Sequence, residues 1–178
     1  MGTLLVVSGP PGAGKSTVAA LLAARFDPSV LVEGDAFFAF LARGAIEPWL
    51  PESHAQNDVV VRAAAAAAGA YARGGYTTVY DGVVGPWFFP GFAAATGLDR
   101  VEYVVLMPTV EECWRRVDTR ADHGFRDEAA TRKMHQEFSA AVVEARHVLV
   151  EPPADPYAVV DEVLQRLERG ALAYAVGS

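Results

Sequence analysis

Residues 6–17 read VVSGPPGAGKST, and this stretch decides the fold. An apolar run leads into Gly9-Pro10-Pro11-Gly12-Ala13-Gly14-Lys15-Ser16, which fits the pattern G-x-x-x-x-G-K-[ST] without a gap, and a helical pattern follows. Glycines let the backbone curl so that successive N–H groups converge on an anion. The N-terminus of the following helix adds its partial positive charge. Lys15 is expected to reach the β- and γ-phosphates of a nucleotide and the Ser16 hydroxyl to hold Mg²⁺, with Thr17 inside the first turn of the helix. The chain has 13 arginines against two lysines, and one of those lysines stands at the motif position, where a compact ammonium suits a crowded loop.

Outward from this loop, short apolar runs alternate with helical patterns. Strands are expected over 3–8, 30–34, 77–82, 101–107 and 147–151, and helices over 16–26, 36–43, 53–73, 109–120, 128–145 and 156–169. Several strands are apolar on both faces, as in a parallel sheet covered by helices on each side. The alternation implies an α/β doubly wound sheet. The alanine run at 63–68 is read as helix rather than linker, because alanine is the best helix former. No repeat or linker divides the chain, so residues 1–178 are expected to form one domain. Residues 44–53 and 82–92, rich in Pro, Gly and aromatics, read as irregular. In such a fold ligands bind beyond the carboxyl ends of the strands, so these two stretches are candidate substrate walls.

A formal net charge of −7 with no Lys/Arg-rich run argues against long nucleic acid or an anionic membrane as partner. The single cysteine, Cys113, forms no internal disulfide and turns toward the core at helical spacing. The N-terminal residues read as a core strand and not as a secretion signal, and no apolar run reaches the length of a membrane span. A cytoplasmic location is the expectation.

A phosphate-binding loop serves switches, motors and kinases alike. The Asn-Lys-x-Asp motif that reads guanine is missing, since the chain's only asparagine is Asn57. Asp81 ends its strand as an acid for Mg²⁺, but Gly82 follows it where a motor carries a water-priming glutamate. The second strand ends in Glu33-Gly34-Asp35. An acid at that tip faces the γ-phosphate and is placed to take a proton from an attacking hydroxyl or to help hold Mg²⁺, unless it serves only as a helix N-cap. Strand alternation turns Glu33 the other way.

Arg115, Arg116, Arg120, Arg126 and Arg132 fall within eighteen residues. Glu111 and Glu112 stand four residues before Arg115 and Arg116, so surface ion pairs account for those two. Arg120 and Arg126 are expected to clamp the charge that builds on a transferred phosphate, in a short lid at about 120–128, the alternative being a solvated helix face with capping interactions. The remaining histidines, His123, His135 and His147, lack the spacing of a zinc site.

The loop at 9–17, the EGD strand end, the DG strand end and the arginine lid together resemble the small P-loop kinases, among them gluconate kinase, shikimate kinase, chloramphenicol phosphotransferase and the kinase half of polynucleotide kinase. Within that group the chain resembles an uncharacterised branch of AAA-type ATP-binding, phosphotransferase-like members that carry EGD, PWLP, HAQN and DGVV segments in this order. The resemblance spans essentially the whole chain. It implies a P-loop NTPase fold with a five-stranded parallel sheet in the order 2-3-1-4-5, helices on both faces, and ATP and Mg²⁺ as cosubstrates. It also implies Asp35 as the base, Arg120 and Arg126 in the lid, and adenine near 151–156. The chain lacks the triple glycine of shikimate kinase and any gluconate signature, so the resemblance does not name the acceptor.

Residues 36–74 and 82–92 form the expected acceptor region. Phe37, Phe38, Trp49, His54, Asn57, Trp87, Phe88 and Phe89 are its candidate walls, with Asp81 at the inner end. The phenylalanines serve equally well as core. The function expected is transfer of the ATP γ-phosphate to a hydroxyl of a small molecule, a sugar-like compound or an antibiotic, by a monomer or homodimer. The alternatives are a nucleoside or polynucleotide 5′-hydroxyl kinase, and a nucleotide-binding module without phosphotransfer.

Overall fold

The computed structural model describes residues 2–119 and 125–177. Its sheet runs β2 (Ser29–Glu33), β3 (Thr77–Asp81), β1 (Leu4–Ser8), β4 (Arg100–Met107) and β5 (Val148–Val150), each parallel to its neighbour. The expected order 2-3-1-4-5 is the observed one. A sixth strand, β6 (Ala173–Ala175), adds antiparallel to β4.

All five residues of β1 are buried, and alternation sends them to two cores. Leu4 and Val6 meet α2 (His54–Arg73) and α3 (Phe89–Ala95) on one face. Leu5 and Val7 meet α1 (Lys15–Ala23) and α6 (Pro156–Glu168) on the other. The alanine run is a close-packing surface: Ala64, Ala65 and Ala68 are fully buried. One residue on, a Cβ at Gly69 would strike the Thr96 carbonyl after α3. Small residues here let α2 approach α3 and the sheet.

The remaining helices are α4 (Val110–Thr119) and α5 (Glu128–Ala140). The Asp127 carboxylate accepts from the Ala130 N–H at 2.9 Å and starts α5, a cap worth about 1 kcal/mol. Asp155 does the same for α6 through Tyr157 N–H, with Pro156 pre-setting the first turn.

Four expectations need correction. The helix expected over 128–145 stops at Ala140, with Ala141 already extended. Residues 36–43 do not form an α-helix; Gly34–Phe40 is 3-10 helix, whose C-cap Leu41 is already extended. The stretch 82–92 is not irregular throughout: α3 begins at Phe89, because Pro90 occupies a first-turn position, where its missing N–H costs nothing, and alanines follow. β6 was not expected, being three residues, Ala-Tyr-Ala, too short for a period to register. Among the described residues no helix is long and apolar enough to cross a membrane.

Candidate active site

The loop after β1 turns through Gly12 at φ +77° and Gly14 at φ +91°, the left-handed region that glycine enters at little cost. A side chain at Gly12 would also run into the Cys113 carbonyl of α4. The loop is therefore seated against that helix. Lys15 is buried, and its Nζ donates to the Pro10 carbonyl at 3.0 Å across the loop. The Cys113 thiol is fully buried, and burial pushes its pKa up to about 11, as expected of a core thiol.

The two strands on one side of β1 deliver the acids. Glu33 and Asp81 are in register at the carboxyl ends of β2 and β3, and Asp35 follows two residues after Glu33, in the first turn of the 3-10 helix. Burial raises the Asp81 pKa, and the nearby Asp35 and Glu33 add to the rise. A hydrogen bond from Ser16 and the charge of Lys15 work the other way. Tyr80 runs beneath this group: burial, then the Asp35 and Asp81 carboxylates, push its phenol well above the usual range. Its hydroxyl fills the space against Gly34.

Lys15, Ser16, Asp35 and Asp81 line one cavity of about 620 Å³. Its far wall is aromatic. Trp49 packs on Phe125 with centroids 4.8 Å apart, and His54 stacks on Phe88 at 4.8 Å and 28°. Trp87 leans on Phe138 at 5.3 Å. The loop carrying Trp49 is stapled to α2. Gln56 accepts from Ile46 N–H at 2.8 Å and donates to Ile46 O at 2.7 Å, while Ser53 and Asn57 both donate to Pro48 O. The loop after β3 is held by Ser8 and Tyr103, whose hydroxyls both donate to Val84 O.

A second cavity, of about 340 Å³, opens on the other side of the phosphate loop between Thr17, Arg116 and Pro152–Pro156. Arg116 is more than a surface ion pair. Besides its 2.8 Å contact with Glu112, its guanidinium lies 3.4 Å from Gly12 O and 3.3 Å from Ala13 O. Glu112 also holds Arg115, at 2.7 Å, whereas Glu111 turns to Arg132, at 3.6 Å. The sequence carries a signal for Arg116: it lies three residues from Cys113 and shares its inward face.

The structure thus brings Pro11, Gly12, Gly14, Lys15, Ser16, Asp35, Trp49, His54, Asn57, Asp81 and Trp87 to one cavity and Thr17 to the other. Gly9, Pro10 and Ala13 complete the turn, where Ala13 N–H donates to Pro10 O at 3.1 Å. Phe38 and Phe88 reach the cavity, while Phe89 is core against Tyr103. Arg126 is exposed, just before α5; its neighbour Phe125 reaches the cavity. Arg120 and His123 lie outside the described residues. Sequence reading missed Tyr80, Phe125, Lys133 and Glu137 on the cavity wall.

Ser16 and the two carboxylates offer hard oxygen donors, which suit Mg²⁺. No cluster of three or more His, Cys, Asp or Glu able to hold a metal occurs among the described residues.

A family model described as an AAA domain matches residues 4–145. The chain belongs to that family. Solved structures share the fold of this AAA-domain chain. A sugar kinase from Janibacter sp., unliganded, superposes with a TM-score of 0.71 at 20% identity, covering 94% of this chain and 95% of that one. The tunicamycin resistance protein of Deinococcus radiodurans gives 0.70 at 13% identity, covering 94% and 96%. The APS kinase of Mycobacterium tuberculosis, in complex with AMPPNP and APS, gives 0.69 at 19% identity, covering 94% and 98%. At such identities the likeness is one of fold. No curated protein matches the sequence.

Proposed function

We propose that this AAA-domain chain is an ATP- and Mg²⁺-dependent kinase that transfers the γ-phosphate of ATP to a hydroxyl of a small molecule, a sugar-like compound or an antibiotic. One observation carries the reading. Asp35 and Asp81 share one cavity with Lys15 and Ser16, Ser16 being hydrogen-bonded to Asp81, and the same cavity has an aromatic wall with room for a second molecule. A sugar kinase and an APS kinase with AMPPNP and APS bound among proteins of the same fold support it.

The loop N–H groups and Lys15 bind the phosphates of ATP and fix their orientation. Its base lies in the smaller cavity, between Arg116 and the 152–156 segment. Ser16, Asp81 and Asp35 would hold Mg²⁺, which would offset the negative charge of the phosphate oxygens. The acceptor hydroxyl gives its proton to a carboxylate oxygen of Asp35 as its oxygen bonds to the γ-phosphorus. The bond from that phosphorus to the β-phosphate oxygen breaks, and ADP leaves. Arg120 and Arg126 are assigned to the transferring phosphate from their positions in the chain. The aromatic pocket keeps water from competing as acceptor.

Asp35→Asn tests the assignment. Acceptor-dependent turnover falls about 10²–10⁴-fold, the scale of general base catalysis, while calorimetry finds ATP binding retained. Full turnover in the variant would overturn the role of Asp35.

A further inference from the structure

Lys133, Met134 and Glu137 line the larger cavity from α5, and the phosphotransfer scheme gives them no part. At about 3.6 residues per turn the three fall within about 100° of the helix circumference. The neighbouring arc belongs to Thr131, His135 and Phe138, which turn into the protein: Thr131 and Phe138 are buried, and His135 Nε2 lies 2.8 Å from Pro108 O. Lys133 and Glu137 therefore present side chains, not backbone, to the cavity. Both side chains are about half exposed, and Lys133 Nζ stands 3.8 Å from Glu137 Oε1. One residue on from Glu137, Phe138 packs on Trp87 with ring centroids 5.3 Å apart. This sets the carboxylate beside the aromatic wall that Trp87 shares with Phe88 and His54.

The charge along this cavity is unbalanced. Among the described residues that line it, three carboxylates, Asp35, Asp81 and Glu137, stand against two ammonium groups, Lys15 and Lys133. Lys15 donates to Pro10 O within the phosphate loop. Lys133 has Glu137 as its counter-ion, in a long, solvated pair of the kind that adds little to stability. We propose that the compound held at the aromatic end of this cavity is a cation, whose ammonium group binds the Glu137 carboxylate in place of Lys133 and lies against the ring faces of the wall. Aromatic faces attract a cation, and a carboxylate beside them fixes its position. An anion would meet an excess of negative charge there. The proposal rests on the kinase reading only in naming that compound the phosphate acceptor, which makes the acceptor an amino alcohol, amino sugars included. Recognition of the charge needs no ATP.

Three probes share one ring and one hydroxyl and differ in charge. They are 2-amino-1-phenylethanol, 1-phenyl-1-propanol and 3-hydroxy-3-phenylpropanoate, which at neutral pH are cation, neutral molecule and anion. Calorimetry is run on the full chain without nucleotide. The cation is expected to bind about tenfold more tightly than the neutral alcohol, the scale of a hydrogen bond to a charged group, and the anion more weakly than either. The margin narrows as salt rises from about 0.01 M to about 1 M, where screening shortens from about 30 Å to about 3 Å. Glu137→Gln removes the preference for the cation. Lys133→Met clears the competing ammonium and strengthens it. Both side chains are solvated, so the variants are expected to melt as the parent does; should either fail to fold, the charge order on the unaltered chain decides. Equal binding across the series, tightest binding by the anion, or binding by none of the three would overturn the proposal. So would a cation preference that survives Glu137→Gln, which would give the recognition to Asp35 and Asp81. None of these results depends on phosphotransfer, which the Asp35→Asn assay reads separately.

Discussion

The hydroxyl of Tyr80 occupies the space that a side chain on Gly34 would need. Gly34 is the hinge between β2 and the turn that carries Asp35, so a backbone glycine in one strand end and a phenol from the next fix the acid's position together. Gly34→Ala is expected to lose about 1–3 kcal/mol of stability, the scale of overpacking a buried contact. Tyr80→Phe in the same chain removes the nearest clashing atom and recovers part of that loss. Thermal melting of the two single variants and the double variant checks it; strictly additive losses would refute the coupling.

Asp81 is held in the folded chain with its pKa raised above the ordinary 3.8, burial being the first cause. The folded state therefore favours its protonated form. Its relative contribution to stability is full below pH 3.8 and declines as pH rises from there through the raised folded value. At neutral pH Asp81 is therefore a cost to stability. Asp81→Asn is expected to melt higher than the parent at pH 7 without ligand, with the gain shrinking toward pH 3.8. On the kinase reading, Mg·ATP is expected to raise the melting temperature of the parent and not that of the variant. A gain independent of pH would contradict the assignment.

Arg116 reaches the carbonyls of Gly12 and Ala13 from α4 and lines the smaller cavity. Arg116→Ala is expected to weaken ATP binding about tenfold, the lower end for losing hydrogen bonds from a charged group. Acceptor KM stays as it was. Titration with ATP and steady-state kinetics against each substrate separate the two; a rise confined to acceptor KM would move Arg116 out of the nucleotide site.

Much of the site is legible in the sequence because it is built on strand ends. The loop at 9–17 declares itself by spacing, and Asp35 and Asp81 by their place where apolar runs stop. Parallel pairing of β2 with β3, and of β3 with β1, then brings them together. What is not legible depends on contacts between elements. Tyr80 reads as one more apolar strand residue, and only the neighbouring strand reveals that its hydroxyl underlies Gly34. Arg116 has a glutamate at ordinary helix spacing, which conceals its second contact. Pro90 and Gly91 read as breakers, although a proline in the first turn starts α3. The 3-10 stretch after β2 and the short β6 carry too few residues for a period to show.

Cys113 is expected to resist thiol reagents at pH 8, since its thiol is buried and titrates only near pH 11. Denatured protein reacts at once. Rapid labelling of the folded chain would mean that α4 opens away from the phosphate loop.

Phosphotransfer to a hydroxyl is read from its products. The protein is incubated with Mg·ATP and a panel of sugars, aminoglycosides, nucleosides and ring-bearing alcohols. ADP is followed while mass spectrometry searches each compound for an added phosphate. The expected result is ADP formation that depends on a particular hydroxyl compound, which emerges phosphorylated, with little ADP in its absence. ATP that binds and is hydrolysed at the same rate whatever compound is present, with phosphate appearing only in water, would contradict it.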